Sequence, residues 1–396
     1  MSETTINQTL IKRVLLTKLG FFTICHGLVH LITESLAPLL PLIRNEFNLS
    51  YTMIGIFTLI LSLTLGIASI PAGVISERIN RFKFIALMFS LIGIICALLL
   101  PRNSFWITIS LLTALYFCFS AFHPSAQICL FHEYASKRGA TFGIYESGGN
   151  FGMFLAPILA GLVGPILGWR SVYGMWIIPA FIVAIFVFFA SKKKGGNDFI
   201  YNSNKPIDVE LFNWIKFILS HRELRTIFTI QGIAGLLWAM IVFIPLFLVD
   251  KRGFSVQNAG FTLALFLLAG AAGKVLGGKI SDKWGRKKVI FFCFLLLAIF
   301  YPLIPIIYGY TLIFLLTALG ITFFMIIPVL LASVGEFSKE GLGFNYGLFT
   351  LLGAGLSAIS RLFSGIISDI WGMEIIFFVF ASIAVAGAIL SFYRLK

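Results

Sequence analysis

The chain has 396 residues, 59% of them hydrophobic and only 12% charged, with a mean hydropathy of +0.99. A water-soluble fold of that length needs far more polar surface, so the main solvent of this chain is lipid. The formal charge of +14 would point to nucleic acid in a soluble protein; here it bears on orientation in a bilayer, and no nucleic-acid partner is expected.

Inside a bilayer every backbone polar group must be satisfied within the chain, which leaves helices or closed barrels. The apolar stretches are continuous and not alternating, so they predict helices, each needing roughly 20 residues to cross. The first six cover 18–43, 52–75, 84–100, 105–130, 140–165 and 171–190. A polar segment, 191–225, follows. It opens with Lys192, Lys193 and Lys194 and continues rich in Gly, Asn and Ser. Its part 208–219 is apolar and aromatic, with Trp214 and Phe217, and reads equally as an interfacial helix or a plain linker. The second six stretches cover 226–249, 257–280, 289–308, 311–334, 345–368 and 373–393. The expectation is an all-α membrane protein of twelve transmembrane helices. It would form two pseudo-symmetric six-helix bundles, 1–190 and 226–396, joined by a cytoplasmic loop, 191–225.

Residues 1–7 are polar, and the apolar stretch that follows is full length, so it reads as a retained span and not a signal peptide. Cys25, Cys96, Cys118, Cys129 and Cys293 all lie in apolar stretches, with no pair at metal-binding spacing. Neither a disulfide framework nor a metal site is expected, and no cofactor. Of the 30 Lys and Arg, 23 fall on the side of the two termini. Arg44, Arg102, Arg170, Lys251 and Arg252 fall on the other side, and Lys274 and Arg361 lie within spans. That bias puts both termini in the cytoplasm. A multi-pass protein of a bacterial inner membrane, working as a monomer in the lipid bilayer, is expected.

The halves repeat. GVISERINRFK, starting at Gly73, returns as GKISDKWGRKK at Gly278, 205 residues on. Ser136-Lys137 and Gly139 return as Ser338-Lys339 and Gly341 after 202 residues, and Gly161 returns as Gly365 after 204. Within each half the loop after the second span resembles the loop after the fifth. Nested repeats of this kind belong to alternating-access transporters with the binding site between the halves.

Gly278-x-x-x-Asp282-x-x-Gly285-Arg286-Lys287-Lys288 resembles the signature loop of the major facilitator superfamily. A first copy has Gly73, Glu77, Arg78 and Arg81, with Asn80 where a glycine is usual; asparagine tolerates a left-handed backbone. A carboxylate and arginine at a helix end can form a charge lock that holds one state and frees the other, so these residues are expected to gate. Gly152-x-x-x-Ala156-Pro157-x-x-Ala160-Gly161 is similar to the glycine-proline motif of the superfamily's exporters. Gly152, Pro157 and Gly161 would there bend and pack the fifth span. Ala121-Phe122-His123-Pro124-Ser125-Ala126 and Gly148-Gly149-Asn150-Phe151-Gly152 resemble the fosmidomycin-resistance branch, which implies a proton-driven exporter.

Titratable groups within a membrane are costly and functional by default. His26, His30 and Glu34 are spaced i, i+4, i+8 and share one helix face. With His123 and Glu146 they are the candidates for proton coupling, since histidine titrates near neutral pH. Hydrogen bonding between helices would explain them equally simply. Lys274 and Arg361 each lie four residues before a repeat glycine, where the first half has uncharged Ser69 and Pro157. They read as contacts for an anionic substrate or as anchors between helices. Gln231 and Trp238 join them as substrate candidates, because the seventh span lines the cavity in the superfamily. His132-Glu133 opens like a zinc-protease helix, but position 136 is Ser. No enzyme is expected. The function expected is a secondary active transporter, a proton-coupled exporter of small molecules, with an importer of a small organic anion as the alternative.

Overall fold

The computed structural model describes residues 18–78, 80–102, 104–133, 138–191, 221–337 and 342–395. The segment 208–219, read as an interfacial helix or a linker, and the Ser136/Ser338 repeat lie outside them. No strand occurs among the described residues. The helices are α1 (Lys18–Thr33), α2 (Leu36–Phe47), α3 (Tyr51–Arg78), α4 (Arg81–Leu99), α5 (Phe105–Glu133), α6 (Arg138–Leu167), α7 (Trp169–Gly174) and α8 (Ile177–Ser191). The second series is α9 (Arg222–Leu237), α10 (Met240–Arg252), α11 (Val256–Trp284), α12 (Arg286–Leu303), α13 (Gly309–Phe337), α14 (Leu342–Trp371) and α15 (Glu374–Arg394).

Among the described residues, eleven segments are long and apolar enough to cross a bilayer. They match eleven of the twelve expected stretches. The other stretch, 289–308, falls on α12, whose first turn carries Arg286, Lys287 and Lys288. Those three charges lower its apolar count, yet its remaining length is as hydrophobic as its neighbours. Long side chains such as Trp106, Ile166, Ile178 and Phe314 stand exposed on the outside of the helices. Against lipid that is their favourable place, because lipid tails are as apolar as they are.

Several crossings are interrupted. α1 and α2 form one span, Lys18–Phe47, broken at Glu34 and Ser35. Pro38 lacks the N–H that the Glu34 carbonyl would accept one turn on, and its ring crowds that carbonyl. Ser35 Oγ donates to Leu31 O at 2.6 Å and Tyr116 OH to Thr33 O at 3.1 Å, so carbonyls around the break keep donors. α9 and α10 form another span, Arg222–Arg252, broken at Trp238 and Ala239. There the backbone tightens, with Ile241 N donating to Trp238 O and Val242 N to Ala239 O. Trp238 follows Glu34 by 204 residues, the period of the repeats.

The chain gathers into two compact units. One is Met1–Leu39 with Thr64–Asn202; the other is Leu40–Leu63 with Ser203–Lys396. In the first, α1 crosses α6 almost backbone to backbone. A Cβ on Gly148 would come within 2.2 Å of Thr23 O, and one on Gly152 within 2.3 Å of Gly27 O. In the second, Gly273 and Gly277 of α11 lie equally close to Ile321 O and Met325 O of α13. Small residues let helix backbones approach and gain dispersion contact where no hydrophobic force operates between helices. The glycines noted in the sequence as packing residues thus include one, Gly152, at a crossing too tight for any side chain.

Candidate functional site

α1 carries the histidine row into the first unit, and α5 and α6 meet it. His26 is buried, and its ring stacks on that of Tyr145 from α6, with centroids 4.1 Å apart and an interplanar angle of 11°. Its Nδ1 lies 2.9 Å from the Tyr145 carbonyl oxygen. Its Nε2 lies 3.1 Å from His30 Nε2. His30 Nδ1 is buried without a hydrogen bond and stands 3.7 Å from Glu34 Oε1. His123, from α5, completes the group, with its ring centroid 5.0 Å from that of His26 and 5.6 Å from that of His30. Gly149 makes room for it all: a Cβ there would come within 2.6 Å of the His26 ring.

These contacts order the protons. A carbonyl only accepts, so His26 carries its hydrogen on Nδ1 and offers a lone pair at Nε2. His30 Nε2–H must then be the donor between the two rings. That leaves His30 Nδ1 and the Glu34 carboxyl facing each other with one further proton to share. With the proton on His30 they form an ion pair; with it on Glu34 both are neutral. The nitrogens of His26, His30 and His123 lie within 4.8 Å of one another, so among the described residues they are the group that could hold a metal ion. As arranged, the His26 lone pair that a metal would need already accepts from His30.

His26, His30 and Glu34 thus follow one another along the first span, and His123 joins His26 and His30 from α5. Glu34 differs in one respect: it stands in the break and not on a continuous helix face. Glu146 is exposed on α6.

The second unit repeats the arrangement with other chemistry. Gln231 follows His26 by 205 residues, and its Nε2 donates to Phe349 O at 3.3 Å. Phe349 follows Tyr145 by 204. Gly353, 204 after Gly149, gives the amide its space, since a Cβ there would come within 2.5 Å of Gln231 Nε2. Gln231 Oε1 is buried and has no hydrogen-bond partner among the described residues. Trp238 stands at the break, with Phe323 and Phe324 rings each 5.3 Å away. Lys274 Nζ lies 5.4 Å from the Phe324 ring centroid, a cation–π distance. Phe324 thus joins Trp238 to Lys274. Arg361 is elsewhere: its Nη1 donates to Ser62 Oγ and, at 3.4 Å, to Thr58 O of α3.

Residues 22–259 and 227–396 match the Major Facilitator Superfamily. The chain belongs to that superfamily. It is 26% identical to the fosmidomycin resistance protein of Escherichia coli K12, over 94% of this chain and 92% of that one. It is 25% identical to an uncharacterized MFS-type transporter, YfnC, of Bacillus subtilis 168, over 88% and 86%. Among solved structures it resembles a bacterial homolog of the human lysosomal transporter Spinster in an inward-facing, unoccupied conformation. The TM-score is 0.80 at 16% identity, covering 95% of this chain and 96% of that one. The relatives are transporters, and the twelve-helix fold is theirs.

The superfamily's signature loop is partly visible in this transporter. Gly285 has φ +86°, a left-handed conformation that favours glycine. Arg286 Nε donates to Glu336 Oε2 at 2.8 Å, and Lys287 Nζ stands 5.6 Å from the Phe392 ring. Asp282 is exposed and bonds to no other described residue. Gly278 lies in the last turns of α11 with open space beside it. In the first copy the side chains of Gly73, Glu77 and Arg78 lie outside the described residues, and Arg81 is buried. Asn80 is not left-handed. Its φ is −63°, and its side chain accepts from Lys83 N, capping α4. Pro157 and Gly161 lie within α6.

Four functional features escaped the residue pattern. Tyr145 contributes a carbonyl, which no side-chain motif records. Phe323 and Phe324 are two among 43 phenylalanines. The break at Glu34 had a signal in Pro38; the break at Trp238 has no proline four residues ahead.

Proposed function

We propose that this transporter is a proton-coupled exporter of small molecules working by alternating access. The observation that supports it best is the row Tyr145 O, His26, His30, Glu34 at the break of the first span. A single proton moving between His30 and Glu34 switches that pair between charged and neutral forms. In a low-dielectric setting the two forms differ greatly in solvation, so a proton can bias one access state over another. His26 and His123 lie beside His30, from α1 and α5, and neither is a fixed charge. Loading and release of the proton would thus govern the charge of the group.

Export is favoured by similarity to a protein named for fosmidomycin resistance, and by the glycine-proline helix α6. Gln231 and Trp238 are the proposed substrate contacts, with Lys274 beside them. Gln231 donates through its amide nitrogen to Phe349 O, and its buried, unpartnered oxygen is an acceptor that a substrate N–H or O–H group would satisfy once the site opens. The anion-importer reading keeps only Lys274, because Arg361 already bonds within the helices.

The test uses purified transporter in liposomes with fosmidomycin, the compound for which the E. coli relative is named, as first probe. Drug uptake into acid-loaded vesicles and the proton efflux that accompanies it are measured together. Uptake that needs the pH gradient, with matched proton efflux, supports the proposal. Uptake that is the same with and without the gradient overturns the coupling.

A further inference from the structure

Asp369 is not part of any motif assigned above, yet it makes two short contacts at a helix start. Its Oδ1 accepts from Tyr51 N at 2.9 Å and its Oδ2 from Thr52 N at 2.7 Å. These are the first N–H groups of α3, which have no partner within the helix. A carboxylate there also meets the positive end of the helix dipole. Around it, Tyr51 OH donates to Asp250 Oδ2 at 2.9 Å, and Arg44 Nη1 lies 3.2 Å from the same oxygen. The Arg44 guanidinium covers the Tyr51 ring at 4.3 Å. Two glycines close the crossing. A Cβ on Gly365 would come within 2.3 Å of Tyr51 O, and one on Gly55 within 2.6 Å of Arg361 O. The segment Leu40–Leu63 is thereby held to the ends of α10 and α14.

The surroundings of Asp369 repeat those of Asp282. Gly365, Asp369 and Gly372 have the spacing of Gly278, Asp282 and Gly285. Gly372 has φ +92° and Gly285 +86°. The equivalent end of α6 keeps a glycine, Gly168 at φ +84°, but has Pro165 in place of the carboxylate. From the end of α11 to the end of α14 the chain runs the length of three helices, α12, α13 and α14, so the two aspartates lie at opposite ends of the second unit. Here Asp369 is engaged and Asp282 is exposed.

We infer that Asp369 is a releasable lock at the outer face, which it holds shut by seizing the start of α3. The inference rests on the alternating-access reading, because only there must Leu40–Leu63 part from the second repeat. It goes beyond that reading in naming the outer lock and its partner atoms.

The test is hydrogen–deuterium exchange by mass spectrometry on the whole transporter in nanodiscs, read at the segment 48–55 without substrate. Asp369→Ala removes both acceptors, and Asp369→Asn keeps one oxygen to accept. Exchange of 48–55 should rise by about tenfold in Asp369→Ala, the effect of losing a charge-assisted hydrogen bond, and by less in Asp369→Asn. Asp282→Asn should leave that segment as slow as in wild type. Tyr51→Phe, which keeps the backbone contact and loses only the Asp250 bond, guards against an Asp369 variant that fails to fold, and should give a small rise. A uniform rise along the whole chain in Asp369→Asn, or no change at 48–55 in any of these variants, would overturn the lock. Because the readout needs neither substrate nor gradient, its outcome is separable from the vesicle assay: unchanged exchange with intact coupled flux removes the lock alone. The predicted local rise beside absent coupled flux removes the coupling alone.

Discussion

Gln231 holds the carbonyl of Phe349 in the second repeat as His26 holds that of Tyr145 in the first. The backbone contact is kept while the chemistry is exchanged, an imidazole for an amide. A shared bracing role therefore explains the hydrogen bond, and what differs between the repeats is the second polar atom of each side chain. His26 offers a lone pair to His30; Gln231 offers an unpartnered oxygen.

His26→Gln should therefore fold. The amide can keep the donor to Tyr145 O, as Gln231 does, but it cannot take up a proton as an imidazole can. Thermal unfolding in detergent should be within a few degrees of wild type. His26→Ala, which strands a buried carbonyl and opens space, should lose about 1–3 kcal/mol. Gradient-driven flux should fall by about tenfold or more in both, since each kcal-scale loss of coupling multiplies through the rate. Full flux in His26→Gln would remove His26 from the proton row.

Glu34→Gln fixes the neutral form of the His30–Glu34 pair with little change of shape. Transport driven by a pH gradient should be lost, while exchange of labelled for unlabelled substrate at equal pH continues. His30→Ala should show a partial version of the same defect. Substrate and proton flux measured in the same vesicles check both. If the double variant Glu34→Gln, His30→Ala keeps proton-coupled flux, the first span does not carry the coupling, and His123 and Glu146 become the next candidates.

The α1–α6 crossing gives a stability prediction with an internal control. Gly148→Ala and Gly152→Ala each place a methyl group against backbone that cannot swing away, at 2.2 and 2.3 Å. Each should cost about 1–3 kcal/mol through overpacking, and should lower the melting temperature and the yield. Gly355→Ala, in α14 with nothing within 4 Å, should leave the melting temperature unchanged or raise it slightly.

The two basic residues within spans should part company. Lys274→Gln should raise the KM for anionic substrates at least severalfold and leave neutral substrates nearly unaffected. Arg361→Gln should instead reduce stability, because it removes the donor to Ser62 Oγ and Thr58 O between α14 and α3. Binding assays and melting curves on the same preparations separate the two effects. An unchanged melting temperature in Arg361→Gln with lost affinity for anions would return Arg361 to the substrate site.

Most of the fold was legible because a bilayer leaves a chain few options. Continuous apolar runs become helices, and all twelve expected stretches coincide with helices among the described residues. The charged first turn of α12 keeps that helix from counting as a crossing by composition alone. The period near 204 was also legible, and the structure extends it to a helix break and a side-chain contact that residue matching cannot see. His26, His30 and His123 were legible because titratable residues stand out in lipid. Tyr145 was not, since its part is played by a backbone oxygen. Asp369 was present in a repeat noticed for its glycines, but its role depends on the first turn of a helix more than 300 residues away in the chain.

The Tyr145 carbonyl has a consequence for the economy of the whole cycle. A carbonyl oxygen can anchor a hydrogen but cannot pass one on. The row from Glu34 through His30 to His26 therefore has an open end and a blind end. In the proposed scheme it is a dock rather than a wire. A proton that boards at Glu34 must leave by the same berth, after the protein has turned that berth to face the other compartment. A through-going chain of imidazoles would let the gradient drain whether or not cargo moved. A blind-ended one keeps the membrane tight, and makes each proton's passage conditional on the protein changing shape.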